Sequence, residues 1–115
     1  MPEMGLTGPF ALTEEEINRQ VEPTPGVYAL DQNYDSGPFR VTYVGRSDTN
    51  LNQRLHEHRP KYKRFQYHYF ATPQEAFEKE CNLYHDFNPP ARISHPARPH
   101  GTNWRCPRCN STGGF

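Results

Sequence analysis

Long apolar runs are missing from this chain. No stretch approaches the ~20 consecutive apolar residues that a membrane span needs. No basic cluster followed by an apolar block opens the N-terminus, so a soluble, cytoplasmic protein without a secretory leader is expected. Cysteine is scarce. There are three in 115 residues, two of them in Cys106-Pro107-Arg108-Cys109, which does not suit a secreted disulfide framework. Hydrophobic residues make up only 33% of the chain, so the length supports one domain with a thin core. Seven Tyr and seven Phe must therefore supply much of the buried area.

Acid is missing from one end. Residues 88–115 hold four arginines and no carboxylate, whereas residues 1–39 hold seven acids and one base. Residues 40–64 hold seven bases (Arg40, Arg46, Arg54, Arg59, Lys61, Lys63, Arg64) against Asp48 and Glu57. A net charge of zero argues against strong non-specific attraction to nucleic acid, yet two basic stretches could line one groove.

Residues 1–12 show little periodicity and read as loop. Thr13-Glu14-Glu15-Glu16 is a capping box that starts a short helix ending before Pro23. Gly26–Leu30 and Phe39–Val44 read as paired strands, with a turn-rich segment between them. Asp48 or Thr49 can cap a helix running to His58, which Pro60 stops, and Gln66–Phe70 reads as a third strand. The expected fold is a small α/β (α+β) domain, a three-stranded antiparallel sheet flanked by helices. The expected segments are a helical extension over 1–23, the domain over 24–90 and a basic tail over 91–115.

The last helix carries an anomaly. Thr72, Pro73 and Glu75 form a capping box for the segment up to Phe87. At 3.6 residues per turn, Gln74, Glu75, Glu78, Lys79, Asn82 and Asp86 form a polar face. Glu80 falls on the other face, with Ala76, Phe77, Cys81, Leu83, Tyr84 and Phe87. An unpaired carboxylate there costs several kcal/mol. Glu80 must gain a proton, a bound cation or an internal Arg or Lys, or reach a cavity.

Other residues complete a chemical set. Tyr28 and Tyr43 lie on strands expected to pair, and Arg54 and His58 stand four apart on one helix face. A guanidinium, an imidazole, two phenols and a carboxylate are the parts for phosphodiester hydrolysis. In this order the residues resemble the GIY-YIG nuclease family. Gly26-Val27-Tyr28 and Tyr43-Val44-Gly45 match its two tripeptides, and Arg54-Leu55, His58 and Glu80 follow.

The resemblance spans roughly residues 24–90 and implies a metal-dependent endonuclease acting on nucleic acid, DNA in the first instance. It implies that Glu80 holds a divalent metal, most readily Mg2+, that Arg54 meets the phosphate, and that Tyr28 helps activate water. Tyr43 and His58 would complete the proton-transfer and positioning network. With ordinary pKa values of ~10 and ~6.5, His58 is the better base unless a cation lowers that of Tyr28. Arg46, Ser47, Lys61, Lys63 and Arg64 are candidate substrate contacts. The alternatives are a non-catalytic nucleic-acid-binding adaptor and a nuclease module of a larger assembly.

The tail is read separately. Cys106 and Cys109 have the spacing of half a structural Zn2+ site, with His95 or His100 available to complete it. Cys81, placed on a helix, is set apart from that pair. The arginines and Trp104 suit a substrate-binding role without chemistry.

Overall fold

The computed structural model describes residues 6–32, 39–70, 72–87, 104 and 106–108. They form an α+β fold with one antiparallel sheet and, among the described residues, three helices. The elements are β1 (Thr7–Ala11), α1 (Glu14–Gln20), β2 (Gly26–Asp31), β3 (Tyr43–Ser47), α2 (Leu51–His58), β4 (Arg64–Tyr69) and α3 (Pro73–Phe87). The sheet has four strands in the order β1-β4-β2-β3, not the three expected. The additional strand, β1, pairs with β4 along the edge: Phe10 lies opposite Phe65 and Ala11 opposite Arg64. Its register breaks between Thr7 and Phe10, where Gly8 takes φ 130° beside Pro9. Proline is tolerated at such an edge or bulge, and the break erases the period-two pattern that marks a strand.

Strand alternation sorts the core onto two sheet faces. Val27, Ala29 and Val44 pack with Ala76 and Leu83 of α3. Tyr28, Leu30, Phe65 and Tyr67 pack on the other face with Ile17 of α1 and Leu51 and Leu55 of α2. The N-terminal residues thus share the sheet and core of the rest of the domain. The two threonine caps form as expected: Glu16 N–H donates to Thr13 Oγ1 at 3.2 Å, and Glu75 N–H to Thr72 Oγ1 at 3.2 Å. For α2 the cap is Asn50, which accepts from Gln53 N–H at 3.0 Å, rather than Asp48 or Thr49. Ser47 Oγ in turn accepts from Asn50 N–H at 2.8 Å, so it ties the end of β3 to the start of the helix.

Asp31 and Arg64 form a buried pair on neighbouring strands, 2.6 Å between Oδ2 and Nη2, and the same carboxylate accepts from Arg40 N–H at 2.9 Å. No helix among the described residues is long and apolar enough to cross a membrane.

Part of the tail docks on α3. Cys106 is buried with Phe77 and Cys81, and Trp104 packs against Phe77 at 6.2 Å between ring centroids. Arg108 reaches Asp86 and the Asn82 carbonyl on the same helix. These tail residues are packed against the domain, while Cys109, His95 and His100 lie outside the described residues. A Trp and a Cys cover apolar surface that α3 would otherwise expose, and an arginine clamps the turn beside them.

Candidate active site

Edge strand β3 separates the two sheet faces, and the functional side chains meet around it. On the α2 face Tyr28 and Tyr43 stack at 6.3 Å between ring centroids with a 20° interplanar angle. His58, at the end of α2, packs against both, 5.3 Å from Tyr28 and 5.2 Å from Tyr43. Tyr62 closes the cluster from behind, 5.8 Å from His58. Within it Tyr28 Oη and His58 Nε2 are 2.9 Å apart. Burial, and secondarily the charge of Arg54, push the His58 pKa below its ordinary value, with Glu57 opposing and Lys61 reinforcing. The imidazole is therefore neutral near pH 7. The bond is then a Tyr28 hydroxyl donating to Nε2, with the ring proton assigned to Nδ1 by this contact.

The glycines of both tripeptides are steric requirements. Tyr28 lies directly opposite Gly45 across the β2–β3 ladder. A Cβ on Gly45 would come within 2.5 Å of Tyr28 Cζ and closer still to its hydroxyl. A Cβ on Gly26 would meet the His68 carbonyl oxygen and a Leu51 methyl at 2.7 Å. Gly45 lets the Tyr28 ring lie across its strand toward His58, and Gly26 lets α2 approach the sheet.

On the other face stands Glu80, only 2% exposed. Its anomaly is relieved by Arg46, whose Nη1 lies 2.6 Å from Glu80 Oε1. Arg46 Nε also meets Asp48 Oδ1 at 2.9 Å, and its guanidinium lies 5.2 Å from the Phe77 ring centroid. Burial opposes the Arg46 charge, but Glu80 and Asp48 more than offset this and hold its pKa above the ordinary value. Of the resolutions open to the sequence, the structure takes the internal arginine.

A pocket of about 520 Å3 joins the two halves. It is lined by Tyr28, Tyr43, Arg46, Arg54, His58 and Glu80, with Gly45, Ser47, Asp48, Thr49 and Glu57 completing the wall. All five residues expected to be catalytic reach it. Arg54 is half exposed and makes a long 3.4 Å contact to Glu57. Of the expected substrate contacts, Arg46 and Ser47 line the pocket, already engaged with Glu80 and with the Asn50 amide. Lys61, exposed after α2, and half-buried Lys63 are not in its wall. Arg64 is also outside the wall, buried against Asp31, where a phosphate would have to break an internal pair to reach it. Asp48, Thr49, Glu57 and Tyr62 were not anticipated. Glu57 could have been found, because it lies three residues from Arg54 on one helix face.

Among the described residues no three His, Cys, Asp or Glu side chains converge on a metal position. Mg2+ needs less, since it is commonly held by one or two carboxylates and keeps several waters. Glu80 on the pocket wall is a hard oxygen donor of that type, with Asp48 nearby on the same arginine. The charge of the wall is also favourable. Three carboxylates (Asp48, Glu57, Glu80) face two guanidiniums (Arg46, Arg54) beside a neutral His58, leaving one net negative charge. A bound cation would share Glu80 with Arg46 or displace it.

Comparison with protein-family models, with curated proteins and with solved structures returns no match.

Proposed function

We propose that the protein is a metal-dependent endonuclease that hydrolyses phosphodiester bonds in DNA. One observation carries the proposal. Tyr28 is hydrogen-bonded to a neutral histidine in a pocket that also holds two arginines and a buried carboxylate. The reading agrees with the GIY-YIG resemblance of the sequence.

The proton path follows from the geometry. A water at the Tyr28 oxygen would give its proton to that oxygen as Tyr28 passes its own to His58 Nε2 over 2.9 Å. The hydroxide so formed attacks phosphorus, the P–O bond to the leaving oxygen breaks, that oxygen takes up a proton from solvent, and the His58 imidazolium returns its proton to solvent. Tyr43 holds the imidazole in place by packing against it at 5.2 Å. Arg54, on the rim and tied only loosely to Glu57, can swing to the phosphate and offset developing negative charge. Glu80, with Asp48 beside it, would hold Mg2+, which when bound supplies positive charge to the scissile group. An empty pocket with a net negative wall repels a phosphodiester, whereas one divalent ion reverses the sign. The metal requirement thus has an electrostatic origin beyond the chemistry itself.

The Arg46–Glu80 pair favours one alternative, a non-catalytic nucleic-acid-binding module in which Arg46 permanently replaces the metal. The discriminating experiment incubates the purified chain with plasmid, single-stranded and branched DNA, in Mg2+ or EDTA. Cleavage in Mg2+ only, lost in Glu80→Gln, is expected. Binding without cleavage of any substrate would establish the module reading.

A further inference from the structure

The proposed proton path does not use Arg46, yet this residue forms part of the pocket wall. Its guanidinium is held at two depths. Nη1 meets Glu80 Oε1 at 2.6 Å, and Nε meets Asp48 Oδ1 at 2.9 Å, with the Phe77 ring 5.2 Å away. Glu80 is 2% exposed, whereas Asp48 is 38% exposed. The deep contact has a clear effect on the protein without metal. A buried carboxylate stripped of its cation is strongly destabilising, so Arg46 lets Glu80 stay charged and in place. Arg46 and a metal then compete for one group. Two cations on one carboxylate repel each other, and Mg2+ keeps several waters that need room beside it. Arg46 can give up Glu80 without leaving the pocket, because its Nε stays tied to Asp48 nearer the solvent.

We infer that Arg46 is a stand-in cation: it holds Glu80 in the metal-free protein, yields it to the metal, and then binds a DNA phosphate together with Arg54. This role rests on the nuclease reading and gives it a further substrate-binding residue. The exchange changes the pocket twice. A metal on Glu80 adds positive charge, and the guanidinium that Glu80 gives up becomes available to an anion. Metal and DNA should therefore bind cooperatively, each raising the affinity for the other by the same factor. The planar fork of a guanidinium suits two phosphate oxygens as well as it suits a carboxylate. Arg54, half exposed on the rim of the same pocket, comes from α2 on one sheet face, while Arg46 lies with Glu80 and Phe77 of α3 on the other. The two guanidiniums would thus meet one phosphate from opposite sides.

The main test uses the wild-type chain. The 15N NMR signals of the Arg46 guanidinium, identified by their loss in Arg46→Lys, are recorded in EDTA and then in Mg2+. In EDTA the Nη hydrogens should exchange slowly with water, and in Mg2+ that protection should be lost. Calorimetric titration reads the competition. Arg46→Met should bind Mg2+ about tenfold more tightly than wild type, because no hydrogen-bonded charge has to be displaced, and Arg46→Lys should stay near wild type. DNA binding is read in a His58→Asn background, where cleavage is not expected. There Arg46→Met should weaken binding more in Mg2+ than in EDTA, and should lower the salt slope in Mg2+ by about one. Three results would overturn the inference while leaving a metal-dependent nuclease in place: Arg46 signals unmoved at Mg2+ saturation, a weaker Mg2+ site in Arg46→Met, or an equal loss of DNA binding with and without Mg2+. A wild-type chain that neither binds Mg2+ nor cleaves DNA would overturn both readings. If Arg46→Met does not fold, the wild-type NMR still decides.

Discussion

Replacing Gly45 by alanine adds one methyl group and should damage both stability and catalysis. The added Cβ would lie within 2.5 Å of Tyr28 Cζ. The clash is with the far end of a side chain, but not with a flexible one. Tyr28 is 2% exposed, stacked on Tyr43 and bonded to His58, so the ring cannot swing aside without disturbing its neighbours. Overpacking of this kind costs about 1–3 kcal/mol. An unfolding entropy of ~2.1 cal/mol/K per residue gives about 0.24 kcal/mol/K for 115 residues, so Tm should fall by roughly 4–12 °C. Catalysis should suffer more than folding, because displacing Tyr28 lengthens its 2.9 Å bond to His58. A misplacement of ~1 Å can cost about 10²-fold in rate. The assay pairs thermal denaturation with cleavage kinetics at a temperature where the variant is fully folded. A Tm within ~1 °C of wild type would refute the steric argument. A lowered Tm with unchanged kcat would refute the role of the Tyr28–His58 bond.

Two further outcomes follow from the charges. The His58 pKa is depressed on folding, so the unfolded chain binds more protons between the folded value and ~6.5, and stability must fall as pH drops through that window. Denaturation midpoints between pH 5 and 7 should show this slope in wild type and lose it in His58→Asn, while the acid limb of kcat/KM should lie below pH ~6.5; a limb above it would exclude His58 as the base. Arg64→Ala should destabilise the fold by about 3–5 kcal/mol by leaving the buried Asp31 carboxylate without its guanidinium, without raising KM for DNA, and a higher KM at wild-type stability would make Arg64 a substrate contact.

Local chemistry was legible in the sequence, and long-range pairing was not. Thr13 and Thr72 could be read as caps because a capping box is complete within four residues. The polar and apolar faces of α3 followed from helical periodicity, and Ala76, Phe77, Glu80, Cys81 and Leu83 are all buried. Strand β1 was hidden by Gly8 and Pro9, which break the alternation on which strand recognition depends. Strand β3 starts at Tyr43 rather than Phe39, with the Arg40 amide bonded to the Asp31 carboxylate instead of a ladder partner. The partner of Glu80 lies 34 residues away, and no local pattern names it. The burial of Cys81 against Cys106 was invisible for the same reason.

The position of β4 bears on how the molecule folds and opens. It sits between β1 and β2, so residues 64–69 pair with 26–31 on one side and with 7–11 on the other. Both pairings close long loops, and such contacts slow folding because the chain loses entropy before they stabilise it. The sheet cannot be completed until β4 is inserted. In hydrogen exchange the amides shared by β2 and β4 should be the last to exchange, and β1 should fray before them.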